Sequence, residues 1–288
     1  MIYSLITAYY PDESFIKNLI SISKQSDKVF ISENTPVPNI DFYKNIPENC
    51  IVCFNKQNLG LSKAFNIILK NIKYRFSDSD FIIFFDDDSF IKDNHISKLI
   101  EEYKSIEKKG YKIGTLAPVF YSHNDLSTIK IPGHRKIIDK NIYSVDSTIT
   151  SSLLITYNNL KKINFWDENI FLDNADVDLC CKIKQKKMIN CITKNVLLEH
   201  NLGDGQRKTG PIKQFIESPI REYYMTRDGL KMLIKTSTTW RLKLIIGVNI
   251  TLKFLLRLLF TDNVKERKYY YRLAWRDFLL NRKGPFNI

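Results

Sequence analysis

Two groups of carboxylates, far apart along the 288-residue chain, are the residues best suited to chemistry: Asp86-Asp87-Asp88, and Asp173, Asp176 and Asp178. Carboxylate oxygens are the ligands that Mg²⁺ and Mn²⁺ prefer, and such ions are commonly held by one or two acids together with a substrate's phosphates. Three consecutive acids repel one another unless a cation intervenes. The first group therefore reads as a metal and phosphate site, against the plainer reading of a charged turn that ends a strand. The second group precedes a helical pattern, where free N–H groups and the helix dipole stabilise negative charge. Capping accounts for one of these acids, but three within six residues exceed what a cap requires. A carboxylate mounted rigidly there suits a general base, which must lie within reach of the proton it removes.

Other polar residues stand at the ends of expected strands. Glu33 follows Val29-Phe30-Ile31-Ser32 and is placed to accept hydrogen bonds from a base or ribose, with a plain loop carboxylate as the alternative. Asn58-Leu59-Gly60 tolerates left-handed backbone ahead of a helix that Ser62 is suited to cap. The start of that helix is a natural neighbour for an anion, and an ordinary turn is the competing view. Thr150, Ser151 and Ser152 put small hydroxyls at the entrance of a strand, leaving room for a ligand. His200 ends another strand and suits a metal or a phosphate, although a lone histidine is more often structural.

The elements that must position these groups alternate. Ile2–Ala8, Val29–Ser32, Cys50–Phe54 and Ile113–Val119 read as strands, with helices reaching about Ser23, from Lys63 to Ile72 and from Asp93 to Lys108. Phe81 to Phe85 is apolar without interruption, the pattern of a strand buried on both faces of a mainly parallel sheet. Ligands bind beyond the carboxyl ends of such strands, where its acids stand. Ser122–Asp146 is polar and reads as a hairpin or loop over the sheet edge, Thr148–Ile155 as a strand, and Val196–His200 as another. Pro211 to about Lys235 and Trp240 to Phe260 carry helical patterns.

A hydrophobic fraction of 44% with few Gly and Pro describes a globular chain, and the net charge of +13 favours an acidic partner: nucleic acid, anionic lipid or a diphosphate. The basic residues gather among C-terminal aliphatics, and no nucleic-acid-binding motif accompanies them. Trp240–Phe260 contains Lys243, Lys253 and Arg257, and a charge near mid-bilayer costs about 2.5–3.5 kcal/mol. That segment is expected to lie in a headgroup layer with its basic residues reaching outward, or to pack on the rest of the protein or a second subunit. Five cysteines and no signal peptide point to a reducing compartment, and all five read as packing residues.

The opening strand through Tyr10-Pro11, Glu33-Asn34, Asn58-Leu59-Gly60 with Ala64 and Asn66, Phe85 to Ser89, Thr150 to Ser152, Phe171 to Leu179, His200 to Asp204 and Arg221 to Asp228 fall in a shared order. In that order they resemble the family 2 glycosyltransferases, closest to the bacterial rhamnosyltransferase-like branch. The resemblance implies an α/β fold of the GT-A type, a Rossmann-like mixed sheet flanked by helices, with a helical C-terminal extension. It implies a catalytic domain over residues 1–210, nucleotide-sugar binding in about 1–120 and acceptor binding in about 120–210, then a helical region 211–288 with a membrane-surface or dimer contact.

The function so implied is inverting, metal-dependent transfer of a sugar from a nucleotide-diphosphate donor to a saccharide or lipid-linked saccharide, in cell-surface polysaccharide synthesis. Rhamnose from dTDP-rhamnose is the expected sugar, and the enzyme would be cytoplasmic, peripheral on the inner face of the membrane. Asp88, Asp86 and His200 would hold Mn²⁺ or Mg²⁺, and Thr7, Tyr9, Glu33, Asn58, Gly60, Lys63, Asp86, Asp87 and Arg207 would bind the nucleotide sugar. Asp176 would be the base, Asp178 would orient the acceptor or the neighbouring helix, and Ser151 and Ser152 would lie on the acceptor. Two features depart from the family. Its DxD is here a run of three aspartates, which leaves the metal pair open and a galactofuranosyl- or other hexosyltransferase as an alternative. Ala175 stands where a Glu often precedes the base. A nucleic-acid-binding protein and a metal-dependent phosphotransferase are the competing classes.

Overall fold

The alternating pattern builds, in chain order, β1 (Ile2–Ala8), α1 (Glu13–Ser23), β2 (Lys28–Glu33), β3 (Cys50–Phe54), α2 (Gly60–Asn71), β4 (Phe81–Asp86), α3 (His95–Lys108) and β5 (Ile113–Tyr121). There follow β6 (Arg135–Asp139), β7 (Ile142–Val145), β8 (Leu153–Thr156), α4 (Tyr157–Lys162), α5 (Ala175–Gln185), β9 (Ile189–Glu199) and the hairpin β10 (Gln206–Thr209) and β11 (Ile212–Phe215). The chain ends in α6 (Arg221–Ile234), α7 (Trp240–Ile250), α8 (Leu252–Phe260) and α9 (Val264–Leu279). The computed structural model describes residues 1–71, 76–121, 135–199, 206–209, 212–215 and 218–286.

Among the described residues a nine-stranded mixed sheet runs in the order β3-β2-β1-β4-β8-β5-β9-β7-β6. Strands β1 to β4 are parallel, and β8 is antiparallel to both β4 and β5. Ile82, Ile83, Phe84 and Phe85 of β4 are fully buried because helices cover both faces. Phe84 meets Phe65 of α2 and Trp166, with ring centroids 4.6 and 5.1 Å away. Phe85 joins Phe15 and Leu19 of α1 and Leu99 of α3. Burying each phenylalanine contributes about 1.5–3 kcal/mol, so the packing of β4 fixes where its acids emerge.

Because β1 to β4 point the same way, their carboxyl ends open on one edge, with Thr7 beside Asp86 and Ala8 beside Glu33. Antiparallel β8 starts where β4 ends, and the Ser152 N–H donates to the Phe84 carbonyl at 2.7 Å. The turn before β8 therefore joins the same edge.

Strands β1 and β3 have the expected bounds, and part of the expected polar segment is the hairpin β6–β7; residues 122–134 lie outside the described ones. Elsewhere local pattern was misleading. Helix α2 starts at Gly60, whose N–H donates to Asn58 Oδ1 at 2.9 Å, and Ser62, expected to cap the helix, falls inside the first turn. The segment expected to be helical from Pro211 opens with β11. Trp240–Phe260 breaks at Thr251 (φ −114°, ψ −80°) into α7 and α8, and no helix among the described residues is long and apolar enough to cross a membrane.

Arg257, expected to reach outward, is 4% exposed and turned inward. Its guanidinium meets Glu222 of α6 at 2.5 and 2.9 Å, and Arg267 of α9 meets the same carboxylate at 2.9 Å. Helix α8 thus sends its charge inward and leaves Leu252, Leu255, Leu259 and Phe260 exposed.

Candidate active site

The first acidic group is held by the turn after β1. The Tyr9 N–H donates to the Asp87 carboxylate at 3.0 Å, and Asn18 of α1 donates to the Asp87 carbonyl at 3.1 Å. Burial pushes the Asp87 carboxyl up to about 6; the carboxylates of Asp88 and Glu33 push the same way, against the pull of the Tyr9 amide. Crowding of this kind is what a cation relieves.

Asp87 and exposed Asp88 line a cavity of about 150 Å³ with Tyr9, Tyr10 and Pro11. The last two also line a neighbouring cavity of about 220 Å³, with Glu33, Thr35, Phe42 and Tyr43. Glu33, 1% exposed, accepts the Thr35 N–H at 2.7 Å and the Tyr43 hydroxyl. A carboxylate has further lone pairs to offer a ligand, and flat aromatic walls with one acid suit a heterocyclic base.

The acids fit a hard divalent ion. Asp86, half-buried beside Thr7, and Asp88 bring carboxylate oxygens to the edge. Among the described residues no group of three His, Cys, Asp or Glu could hold a metal, so an ion here would complete its shell with phosphate or water oxygens. His200 and the side chain of Arg207 lie outside the described residues. Lys63 is exposed on the first turn of α2.

The second group sits at the start of α5. Arg221 of α6 donates to Asp173 at 3.3 Å, and Asp176, half-buried, accepts the Val177 N–H at 2.8 Å. Burial pushes the Asp176 carboxyl up to about 6, with that N–H and the charge of Arg221 opposing. Such an acid is ionised at neutral pH and still basic enough to accept a proton.

Asp178 takes the second of its two expected roles, toward a neighbouring helix, and the two serines expected on the acceptor are placed differently. Asp178 is 1% exposed and paired with Lys235, which also holds Asp167 at 2.5 Å, so it ties α5 to the end of α6. Ser151 and Ser152 are 0% exposed. Ser151 meets the Ser89 hydroxyl, and Ser152, at φ 62°, meets His95 Nε2 at 2.7 Å. Both serines brace the turn after β4 from within and present no hydroxyl to a ligand.

The loop ahead of the second group reaches the edge where the first emerges. The Leu61 N–H at the start of α2 donates to the Phe171 carbonyl at 2.8 Å, and a Cβ on Gly60 (φ +71°) would come within 2.2 Å of that oxygen. The Phe171 ring stacks on Tyr224 at 4.7 Å. The Tyr224 hydroxyl is pushed up by burial first, and Tyr9 adds to the effect. Phe171, five residues before Asp176, thus ties the loop ahead of the second group to the start of α2.

Sequence reasoning missed the roles of Tyr43 and Thr35, which carry no local signal beyond lying near Glu33. A larger cavity, about 830 Å³, is lined by Phe81, Ile113 and Thr156 at the opposite edge, away from these acids.

Residues 5–138 match the family described as Glycosyl transferase family 2. The chain is 27% identical over 246 residues to the dTDP-rhamnosyl transferase RfbF of Shigella flexneri, covering 81% of this chain and 80% of that protein. Over 130 residues it is 28% identical to the rhamnosyltransferase WbbL of Escherichia coli, covering 38% of this chain and 48% of that one. Among solved structures it resembles S. aureus TarS 1–349 in complex with UDP-GlcNAc (TM-score 0.53, 14% identity, 98% of this chain and 81% of that chain). It also resembles GalNAc-T7 with UDP, GalNAc and Mn²⁺ (TM-score 0.54, 11% identity, 100% and 59%). These structural likenesses establish the fold, GT-A.

Proposed function

We propose that this chain is a family 2, rhamnosyltransferase-like glycosyltransferase that uses a nucleotide sugar, in keeping with the family match and the rhamnosyltransferase relatives, and that it is inverting and metal-dependent. The donor is dTDP-rhamnose, in keeping with the dTDP-rhamnosyl transferase relative, and the acceptor is a saccharide or lipid-linked saccharide. The observation that carries this reading is that the Phe171 carbonyl, shortly before Asp176, accepts the Leu61 N–H at the start of α2, past the carboxyl end of β3 and on the edge where Asp86 to Asp88 emerge from β4.

In this reading the cavity at Glu33 and Tyr43 takes the base, Asp86 and Thr7 the ribose, and the cavity at Asp87 and Asp88 the diphosphate. Asp88 with Asp86 would hold Mn²⁺ or Mg²⁺, which would supply positive charge against that gathering on the leaving diphosphate. Asp176 accepts the proton of an acceptor hydroxyl while that oxygen bonds to the anomeric carbon. The bond from that carbon to the diphosphate breaks on the opposite face. A single displacement inverts configuration, and no enzyme nucleophile takes part.

The same reading puts the enzyme on the inner face of the cytoplasmic membrane. Trp240, Leu244, Leu255 and Leu259 are 71, 61, 55 and 74% exposed. Between Trp240 and Lys283 eleven lysines and arginines face three acids. Apolar side chains set among cations suit an anionic headgroup layer. A second copy of the chain is the other occupant to test.

Nucleotide sugars screened for thermal stabilisation with and without Mn²⁺ test the proposal. A donor at 100 times its Kd stabilises the native state by about 2.7 kcal/mol. A Mn²⁺-dependent rise with dTDP-rhamnose, and a product of inverted configuration, are expected. A chain that no nucleotide sugar stabilises contradicts it.

A further inference from the structure

A separate cavity of about 120 Å³ lies between the start of α5 and helices α6 and α7, lined by Asp173, Asn174, Met225, Ile246, Asn249 and Ile250. Gly229 of α6 permits the crossing behind it, since a Cβ there would come to 3.0 Å from Ile250 and 3.3 Å from Ile246. Met225, Ile246 and Ile250 supply aliphatic lining; Asn174, Asn249 and Asp173 supply polar groups. Among the described residues neither asparagine side chain has a hydrogen-bond partner. A pyranose ring offers the complementary surface, a C–H face with a rim of hydroxyls.

The place of the cavity matters as much as its lining. Asp173 and Asn174 lead directly into the first turn of α5, where Asp176 stands. Arg221, one helical turn before Met225, bonds to Asp173 and is felt by Asp176. On α7, Ile245 lies four residues before Asn249 and therefore on the same stripe. Ile245 and Val248 of α7, and Leu252 just past the break at Thr251, are exposed apolar residues.

We propose that this cavity is the subsite for the terminal sugar of the acceptor, a hexopyranoside whose apolar aglycone runs along Ile245, Val248 and Leu252. The proposal rests on the reading of the chain as a glycosyltransferase with Asp176 as its base. It assigns acceptor recognition to α6 and α7 in place of Ser151, Ser152 and Asp178.

The test uses the full chain, dTDP-rhamnose, and matched methyl and octyl hexopyranosides of glucose, galactose, rhamnose and N-acetylglucosamine. Met225→Trp fills the cavity from a half-exposed position, and Asn249→Ala removes an amide without adding bulk. Each is expected to raise the KM of the octyl glycoside at least tenfold while the KM of the donor moves less than twofold. Octyl glycosides are expected to show a KM at least tenfold below that of their methyl counterparts. Melting curves with and without donor show that each variant is folded. Unchanged acceptor KM in both folded variants overturns the subsite, as does an acceptor panel that is neither used nor bound by an enzyme that still hydrolyses the donor. Failure of the parent chain to bind or turn over any nucleotide sugar would instead overturn the reading beneath it.

Discussion

The carboxylate of Asp228 accepts the backbone N–H of Phe171 at 3.0 Å, and the same oxygen accepts the N–H of Leu172 at 3.1 Å. Helix α6 therefore carries the loop that leads to Asp176. Asp228 and its partner Arg227, 3.2 Å away, are both fully buried. Asp228→Ala leaves a guanidinium uncompensated and two amides without an acceptor, and breaking a buried pair in this way costs about 3–5 kcal/mol. Denaturant unfolding is expected to show that loss. A loss below about 1 kcal/mol, within the range of ordinary substitutions, would mean that the loop is held by other contacts.

Gly60→Ala probes the same loop from the sheet side. Left-handed backbone costs a residue with a Cβ about 1–2 kcal/mol, and here the new Cβ would also press on the Phe171 carbonyl, 2.2 Å away. The loop has to give way. Stability is expected to fall and kcat to fall with it; a variant with the parent's kcat would dissociate α2 from the placement of Asp176.

The pH profile follows from burial. Asp176 and Asp87 have carboxyls raised to about 6, and Asp176 works as a base only when ionised. Transfer is expected to fall as pH drops through 6, about tenfold per unit well below it. The stability effect has the opposite sign. A folded pKa above the unfolded value means that the folded state holds the proton more tightly between about 4 and 6, so stability declines as pH rises through that window. At neutral pH the ionised Asp176 is a cost to folding, and Asp176→Asn is expected to melt at a higher temperature than the parent. A lower melting temperature would assign Asp176 a structural ion pair instead.

The outward leucines of α8 can be tested without disturbing the core. Leu255 and Leu259 are 55 and 74% exposed, so replacing both with Glu should change stability by no more than about 0.5 kcal/mol per site. Co-sedimentation with vesicles containing anionic phosphatidylglycerol is expected for the parent and not for the variant. Loss of a dimer in sedimentation velocity, with vesicle binding absent in both proteins, would identify a second copy as the occupant.

Much of the frame was legible because burial on both faces leaves a local mark. The unbroken run at β4 and the bounds of β1 and β3 could be read from single residues, and so could the two acidic groups at the ends of their elements. What escaped was set by partners distant in sequence. Asp178 reads like its neighbour Asp176 until Lys235, 57 residues on, is seen to hold it. Arg257 looks like an outward cation on a leucine-rich helix, and only Glu222 of α6, 35 residues earlier, explains its burial. Ser151 and Ser152 are small hydroxyls at a strand entrance in either setting, and the packing of Ser89 and His95 against them decides their role. The break at Thr251 carries no proline or glycine at that position to announce it.

The central claim, a division of labour between two acidic groups on one edge, is tested most directly by comparing Asp88→Asn with Asp176→Asn. Thermal stabilisation by dTDP-rhamnose with Mn²⁺ and the rate of sugar transfer are measured on both. Asp88→Asn is expected to lose the Mn²⁺-dependent stabilisation together with transfer. Asp176→Asn is expected to keep the stabilisation while transfer falls at least about a hundredfold. Full transfer by Asp176→Asn, or equal loss of donor binding in the two variants, would contradict the account.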